Sequence, residues 1–155
     1  MRPAAAQTTV APIEMRVTLS DAARRHIALF EDVTGTTAVD CLFDEANDRV
    51  CFLVAAGEMA DAIGPDGQTV EKVEQRLDRQ VTLVEDADTP EAFVANALAP
   101  AAVYNVTISE NQDTVAYAEV DRADRGAAIG ADGRRIETAR RLAKRHFDID
   151  DIELA

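Results

Sequence analysis

Apolar positions along the chain predict a series of six elements in its first half. Residues 20–35 have apolar side chains at helical spacing between a serine N-cap and a terminating glycine, which predicts a helix. Alternating apolar residues predict strands over residues 39–44 and 50–54, joined by a hairpin turn. A helical hairpin over residues 58–77 and a strand over residues 81–84 complete the series.

The same order of elements is predicted again after residue 88. A threonine cap followed by Pro90 begins a helix that Pro100 ends. Two strands, a helical hairpin and a last strand follow, over residues 103–108, 115–120, 123–147 and 149–154. Both halves therefore read α-β-β-α-α-β. The pattern predicts an α+β fold with two three-stranded sheets.

The first hairpin also predicts the environment of the two cysteines. With its turn at residues 46–47, Cys41 faces Phe52 across the two strands, and Cys51 points to the other face of the sheet. Both thiols are then free. His26 falls off the apolar face of the first helix, which predicts exposure to solvent, and His146 is expected to be structural.

An internal repeat stands at the centre of both series. The string A-I-G-P-D-G begins at Ala62, and A-I-G-A-D-G begins at Ala128, 66 residues later. Glycine permits a sharp turn and lets a phosphate approach the backbone closely. The positive end of the helix that follows favours an anion. A duplicated structural hairpin without a ligand is the alternative interpretation.

The overall charge of the chain opposes simple attraction to nucleic acid. The net charge is −13 over 155 residues, lysine occurs only at positions 72 and 144, and Asp outnumbers Glu. This composition suits a protein that works in concentrated salt, which screens repulsion between like charges. An acidic surface that avoids or mimics nucleic acid is the alternative.

Basic residues are concentrated in the second hairpin. Residues 57–79 contain three basic and six acidic side chains, whereas residues 123–145 contain seven basic and three acidic ones. Arg134 and Arg135 directly follow the second loop, where they could reach phosphates. The remaining cations of that helix are expected to form a solvated face that pairs with nearby acids: Arg140, Arg141, Lys144 and Arg145.

These strings and their order resemble a known family. The segments D-R-V-C-F-L-V, G-E-M-A-D-A-I-G-P-D-G and A-I-G-A-D-G-R-R-I resemble archaeal NusA-type transcription factors, which carry tandem prokaryotic-type (type II) KH domains. The resemblance implies helices on one face of each sheet. It also divides the chain into one KH domain at residues 15–88 and another at residues 89–155, which starts with a linker helix at residues 89–100. Residues 1–14 have two prolines and no periodicity, which predicts a disordered N-terminal extension. Met15 is then a possible true start.

The resemblance implies single-stranded RNA binding at the Gly-x-x-Gly loops during transcription elongation and termination. The predicted contacts are Gly64, Pro65, Asp66, Gly67, Ile129, Gly130, Ala131, Asp132, Gly133, Arg134, Arg135 and Ile136. Ile129 and Ile136 are equally candidates for the core. Both loops lack the basic central residue that is common in the family, and Pro65 has no N–H to donate. Asp66 and Asp132 either repel phosphate or cap the helices that follow.

Other classes of function have weaker support in the sequence. No P-loop, G-x-S-x-G or H-E-x-x-H motif occurs, so we expect no enzymatic activity, no cofactor and no metal. No apolar run is long enough for a transmembrane helix, and residues 1–15 lack the features of a signal peptide. The expected protein is a cytoplasmic monomer whose partners are nascent RNA and RNA polymerase. The alternative function is a scaffold that docks on RNA polymerase or another RNA-processing complex with little RNA affinity.

Overall fold

A computed structural model describes residues 17–155. The predicted disorder of residues 1–14 and the possible start at Met15 lie outside the described residues. The first unit comprises α1 (Asp21–Thr34), β1 (Ala38–Asp44), β2 (Arg49–Val54), α2 (Met59–Ile63), α3 (Gln68–Leu77) and β3 (Gln80–Glu85). The second comprises α4 (Pro90–Ala97), β4 (Val103–Glu110), β5 (Thr114–Val120), α5 (Arg125–Ile129), α6 (Arg134–Phe147) and β6 (Asp151–Leu154). Short 3₁₀ turns precede α3 and α6.

The predicted caps define the ends of the helices. The Ser20 hydroxyl accepts from the Ala23 N–H at 3.0 Å, and Gly35 ends α1 with a φ of 70°. The Thr89 hydroxyl likewise accepts from the Ala92 N–H at 3.2 Å, with Pro90 at the first helical position. Local side-chain chemistry therefore sets these boundaries. The division of the chain at residues 88 and 89 stays a prediction.

The two sheets have the same topology. In each, the first two strands are antiparallel and the second and third are parallel, giving the orders β1-β2-β3 and β4-β5-β6. The predicted register is confirmed, since Cys41 pairs with Phe52. Both cysteines are free and buried. The last strand begins two residues later than predicted, because the N–H of Ile149 bonds back to the Ala143 carbonyl of α6 at 3.2 Å.

The first sheet is buried on both faces. On one face its strands form a core with α1, α2 and α3, in which Phe30 stacks on Phe52 with ring centroids 4.4 Å apart. On the opposite face Leu42, Cys51 and Leu53 join a core built mainly from the second unit. Phe93 and Leu98 are fully buried in that second core. The second unit therefore packs on the outer face of the first sheet.

The corresponding face of the second sheet has no such cover within the described chain. The 66-residue repeat places Tyr117 and Glu119 where the first unit has Cys51 and Leu53. Tyr117 is 38% exposed, and Glu119 is exposed as well. Only the first sheet is buried on both faces, because its outer face is apolar whereas the outer face of the second sheet is polar.

A buried carboxylate links the two units. Asp40 has no exposed surface, and it accepts from Arg145 Nε at 2.7 Å and Nη2 at 2.9 Å and lies 2.8 Å from His146 Nε2. Burial alone raises the pKa of Asp40, but hydrogen bonds from His146, Arg145 and the Cys41 N–H outweigh it and leave that pKa below its ordinary value. The carboxylate is thus ionised inside the interface at neutral pH.

One sequence-based interpretation needs correction here. His26 is half-buried rather than exposed, because its ring packs edge-on against Phe43 at a centroid distance of 4.9 Å. Strand alternation gave no reason to expect a buried charge at Asp40, which becomes buried only when the second unit covers the sheet. Both effects come from residues that lie far away in the sequence.

We expect Asp40→Asn to lower the free energy of unfolding by about 3 kcal/mol, which is the lower end of the range for breaking a buried ion pair. The lower end applies because the Arg145 side chain is 33% exposed and water can partly hydrate it. Glu137→Gln is the control, because the Glu137–Arg140 pair is exposed and should contribute less than about 1 kcal/mol. Denaturant unfolding in concentrated potassium chloride measures both changes.

The pH dependence gives this prediction a second readout. The pKa of Asp40 is lower in the folded protein than its unfolded value of 3.8. The ionised carboxylate therefore stabilises the fold fully above pH 3.8, and this stabilisation is lost as the pH falls through the folded-state pKa. The stability difference between wild type and Asp40→Asn should therefore narrow below pH 3.8. A difference that stays constant across this range would contradict the role of an ionised Asp40.

Candidate nucleic-acid interface

The two Gly-x-x-Gly loops have the same backbone conformation. Gly64 has φ 77° and ψ 172°, and Gly130 has φ 80° and ψ 169°. The central aspartates also agree, with φ values of 55° at Asp66 and 56° at Asp132. The repeat in sequence is therefore a repeat in structure, and differences between the loops come from their side chains.

The first glycine of each loop is required by close packing as well as by its backbone angles. A Cβ added at Gly130 would lie 2.8 Å from the backbone nitrogen of Arg135. One added at Gly64 would lie 2.9 Å from the backbone nitrogen of Thr69, at the equivalent position. No side chain fits there unless the helix moves. The loop thus folds tightly onto the first turn of the helix that follows it.

The central aspartates do not cap the helices by hydrogen bonding. The N-caps of α3 and α6 are Gly67 and Gly133, and neither helix has a side-chain cap bond. Asp66 and Asp132 instead occupy left-handed backbone positions, which aspartate tolerates better than most residues. Every non-glycine residue with positive φ in residues 17–155 is an aspartate: Asp48, Asp66, Asp78, Asp132 and Asp148.

The structure separates the two isoleucines that the sequence left undecided. Ile136 is 6% exposed and belongs to the core, whereas Ile129 is 41% exposed beside the loop. Ile63 occupies the equivalent place beside the first loop and is 38% exposed. An exposed aliphatic side chain next to each loop offers an apolar surface to a base.

Most cations of α6 already have partners. Arg140 bonds to Glu137 at 2.7 Å and Asp151 at 2.9 Å, and Lys144 bonds to Asp150 at 2.7 Å. These contacts confirm the predicted pairing with nearby acids. Arg141 and Arg145 differ, because they reach the first unit: Arg141 donates to the Phe43 carbonyl at 3.1 Å, and Arg145 contacts Asp40.

Within residues 17–155, no acid forms an ion pair with Arg134 or Arg135, the two cations of α6 that directly follow the second loop. Arg135 Nη1 donates to the Ala99 carbonyl at 2.6 Å, and the Arg134 side chain forms no hydrogen bond or ion pair with any residue in the described part of the chain. Both line a cavity between the units, which we call the inter-unit cavity. Its lining also includes Gly130 and Ala131 of the second loop and Arg49 of the first unit. Arg49 lies in a strand, 81 residues before Gly130, and no sequence motif marks it.

Comparison with known proteins finds related chains. A family model described as NusA-like second KH domain matches residues 90–155. The probable transcription termination protein NusA of Halococcus morrhuae is 79% identical over 141 residues, which is 91% of this chain and all of that protein. The chain belongs to the NusA family. The protein with the same description from Halobacterium salinarum is 64% identical over 90% of this chain and 99% of its own length.

A solved structure supports the arrangement of both units. The crystal structure of APE1850 matches with a TM-score of 0.78 and 29% sequence identity. The matched region spans 88% of this chain and 100% of the APE1850 chain. The tandem type II KH fold of the NusA family is therefore present across nearly the whole described chain.

The family relatives also bear on the acidic composition. Both come from halophilic archaea, the setting that the excess of aspartate predicted. Five of the aspartates have a structural role as well, because they hold turns with positive φ. Salt adaptation and turn chemistry therefore use the same residue type in this NusA-family chain.

Three further features of the described residues concern thiols, metal ligands and membrane-spanning helices. Burial raises the pKa of Cys41 and of Cys51 to about 12, so both thiols stay neutral and poor nucleophiles. Among residues 17–155, no group of three His, Cys, Asp or Glu side chains is placed to hold a metal ion. In the same part of the chain no helix is long and apolar enough to cross a membrane.

Three glycine-to-alanine variants test the loop geometry. Gly130→Ala should lower the free energy of unfolding by more than about 2 kcal/mol, since it combines a steric clash with a backbone conformation that only glycine adopts easily. Gly133→Ala should cost about 1 kcal/mol, because its φ is 73° but the space around it is open.

Gly126→Ala is the matched control for these two variants. Gly126 lies within α5 with open space around it and no positive φ, so alanine should raise the free energy of unfolding by up to about 1 kcal/mol. Denaturant unfolding ranks the three proteins. Equal effects of Gly130→Ala and Gly133→Ala would show that the contact with Arg135 is unimportant.

Proposed function

We propose that this NusA-family protein binds single-stranded RNA during transcription elongation and termination, mainly through the second Gly-x-x-Gly loop. One observation supports the choice of that loop. The two loops have matching backbones, but only the second is followed by two arginines that no acid neutralises. The first loop has Gln68 and Thr69 at the equivalent positions.

The physical basis of binding is contact with the RNA backbone. Gly133 has open space around it, which lets a phosphate approach the loop backbone, and the start of α6 presents the positive end of the helix dipole. Arg134 and Arg135 add charge-assisted hydrogen bonds to phosphate oxygens. The exposed side chain of Ile129 supports the adjacent base. Sequence preference should be weak, because phosphate contacts are the same for every base.

In this proposal the role of each predicted loop residue follows from its place. Gly130, Ala131, Asp132 and Gly133 form the phosphate contact of the second loop. Gly64, Pro65, Asp66 and Gly67 form the same shape in the first unit, where Pro65 removes one donor and no arginine follows. Ile136 supports the second loop from the core rather than contacting RNA.

The second candidate function is a protein-interaction scaffold. The surface beside α3 favours it, because Glu71, Glu74 and Asp78 lie together there with Arg79 and Asp48. An acidic surface of this kind suits a basic patch on RNA polymerase or on another RNA-processing complex. Under either function the protein acts by binding rather than catalysis, as a cytoplasmic monomer.

Exchange of the two residues after the loops tests the main proposal. The double variant Arg134→Gln, Arg135→Thr gives the second loop the side chains of the first. We expect its affinity for a fluorescent single-stranded RNA pool to fall at least tenfold in molar potassium chloride, since two phosphate contacts are lost.

The converse variant is the matched control. Gln68→Arg with Thr69→Arg places two cations after the first loop and should strengthen RNA binding if the shared backbone shape suffices. Unfolding measurements establish that each variant is folded. If Arg134→Gln, Arg135→Thr binds RNA as wild type does, the second loop is not the main contact and the scaffold function is favoured.

A further inference from the structure

The inter-unit cavity brings together residues that lie far apart in the chain. It encloses about 90 Å³, against roughly 10–15 Å³ needed by one water on the same measure, so a small tetrahedral anion fits. Strands β2 and β3 of the first unit form one wall. The second loop and the first turns of α6 form the other.

Three arginines converge on this cavity: Arg49, Arg134 and Arg135. Arg49 is held in place by its own unit, because it donates to the Gln80 side chain and to the Thr82 hydroxyl, the latter at 3.1 Å. Arg135 is positioned by the Ala99 carbonyl at 2.6 Å. The Arg134 side chain forms no ion pair among residues 17–155. The three arginines thus come from two units, and their positive charges add at the cavity.

The charge of this cluster is only partly balanced by its surroundings. Desolvation lowers the pKa of Arg135, and the nearby positive charge of Arg49 lowers it further. Asp44 is the one acidic residue in the cavity lining, and Cys51 is a neutral thiol there because burial raises its pKa to about 12. Three cations against one anion leave a net positive site within an acidic protein.

We propose that the inter-unit cavity binds one backbone phosphate of the RNA strand at the second loop, and that Arg49 supplies the contact from the first unit. This inference rests on the proposed function and adds a residue of the first unit to the second unit's site. The hydroxyls of Thr82 and Thr138 also line the cavity and can donate to phosphate oxygens. Because Gly130 and Ala131 form part of its wall, a strand that contacts the loop passes the cavity.

The inference gives the inter-unit packing a role in binding. Arg49 faces the second loop only because the second unit covers the outer face of the first sheet. The first unit would then contribute to RNA binding through its sheet rather than through its own Gly-x-x-Gly loop.

Substitution of Arg49 in the full chain tests this assignment. We expect Arg49→Gln to weaken binding of a single-stranded RNA pool about tenfold and to reduce the slope of log affinity against log salt by about 0.7, the value for one phosphate of a single strand. Arg49→Lys, which keeps the charge, should retain most of both quantities.

The control is Arg79→Gln. Arg79 belongs to the same unit but pairs with Asp48 at 3.7 Å, away from the cavity, so affinity and slope should stay unchanged. Unfolding of each variant is measured in parallel, and affinities are compared only between folded proteins. Since Arg49→Lys preserves the charge, it remains informative if Arg49→Gln is destabilised.

The outcomes separate this inference from the proposed function. If Arg49→Gln matches wild type while Arg134→Gln, Arg135→Thr loses binding, the Arg49 contact is wrong and the proposed function stands. If neither variant changes RNA binding, both the Arg49 inference and the proposed function are wrong.

A last measurement distinguishes the source of the phosphate. Inorganic phosphate is added at constant ionic strength, and the thermal midpoints of wild type and Arg49→Gln are compared. Stabilisation of wild type alone, together with an unchanged RNA slope in Arg49→Gln, would mean that the cavity takes free phosphate and would overturn the assignment to RNA. A reduced slope in Arg49→Gln supports that assignment.

Discussion

The packing of the second unit on the outer face of the first sheet is the constraint on which the rest of the structure depends. Leu42, Cys51 and Leu53 make that face apolar, so it must be covered. Asp40 is buried within the same interface, and it retains its charge only because Arg145 and His146 reach it. An apolar face supplies the driving force, and a buried ion pair that must be satisfied favours one relative position of the two units.

This interface also determines which cations remain available. The basic residues of α6 look alike in the sequence, yet Arg141 and Arg145 are used between the units, and Arg140 and Lys144 pair with acids on their own unit. Arg134 and Arg135 remain at the loop, beside the inter-unit cavity. In an acidic protein, an anion is attracted by the cations that the fold leaves without an acidic partner.

The repeat shows how one backbone supports two different surfaces. Both loops have the same dihedral angles, because glycine and aspartate occupy the same left-handed positions in each. The side chains around them differ, with Gln68 and Thr69 in the first unit where the second has Arg134 and Arg135. The outer faces of the sheets differ in the same way, since Cys51 is buried and its counterpart Tyr117 is partly exposed.

The amino-acid sequence specifies the elements, their order, the hairpin register and the positions of the two loops, because helix caps, strand alternation and glycine turns act between residues close in the chain. It also favoured Arg134 and Arg135 through their place after the second loop. The tertiary structure alone decided that Asp40 is buried, that Ile129 is exposed while Ile136 is core, and that Arg49 faces the second loop. Each of those facts depends on a contact between the two units or across a fold, and no local pattern of residues encodes which distant side chain will complete it.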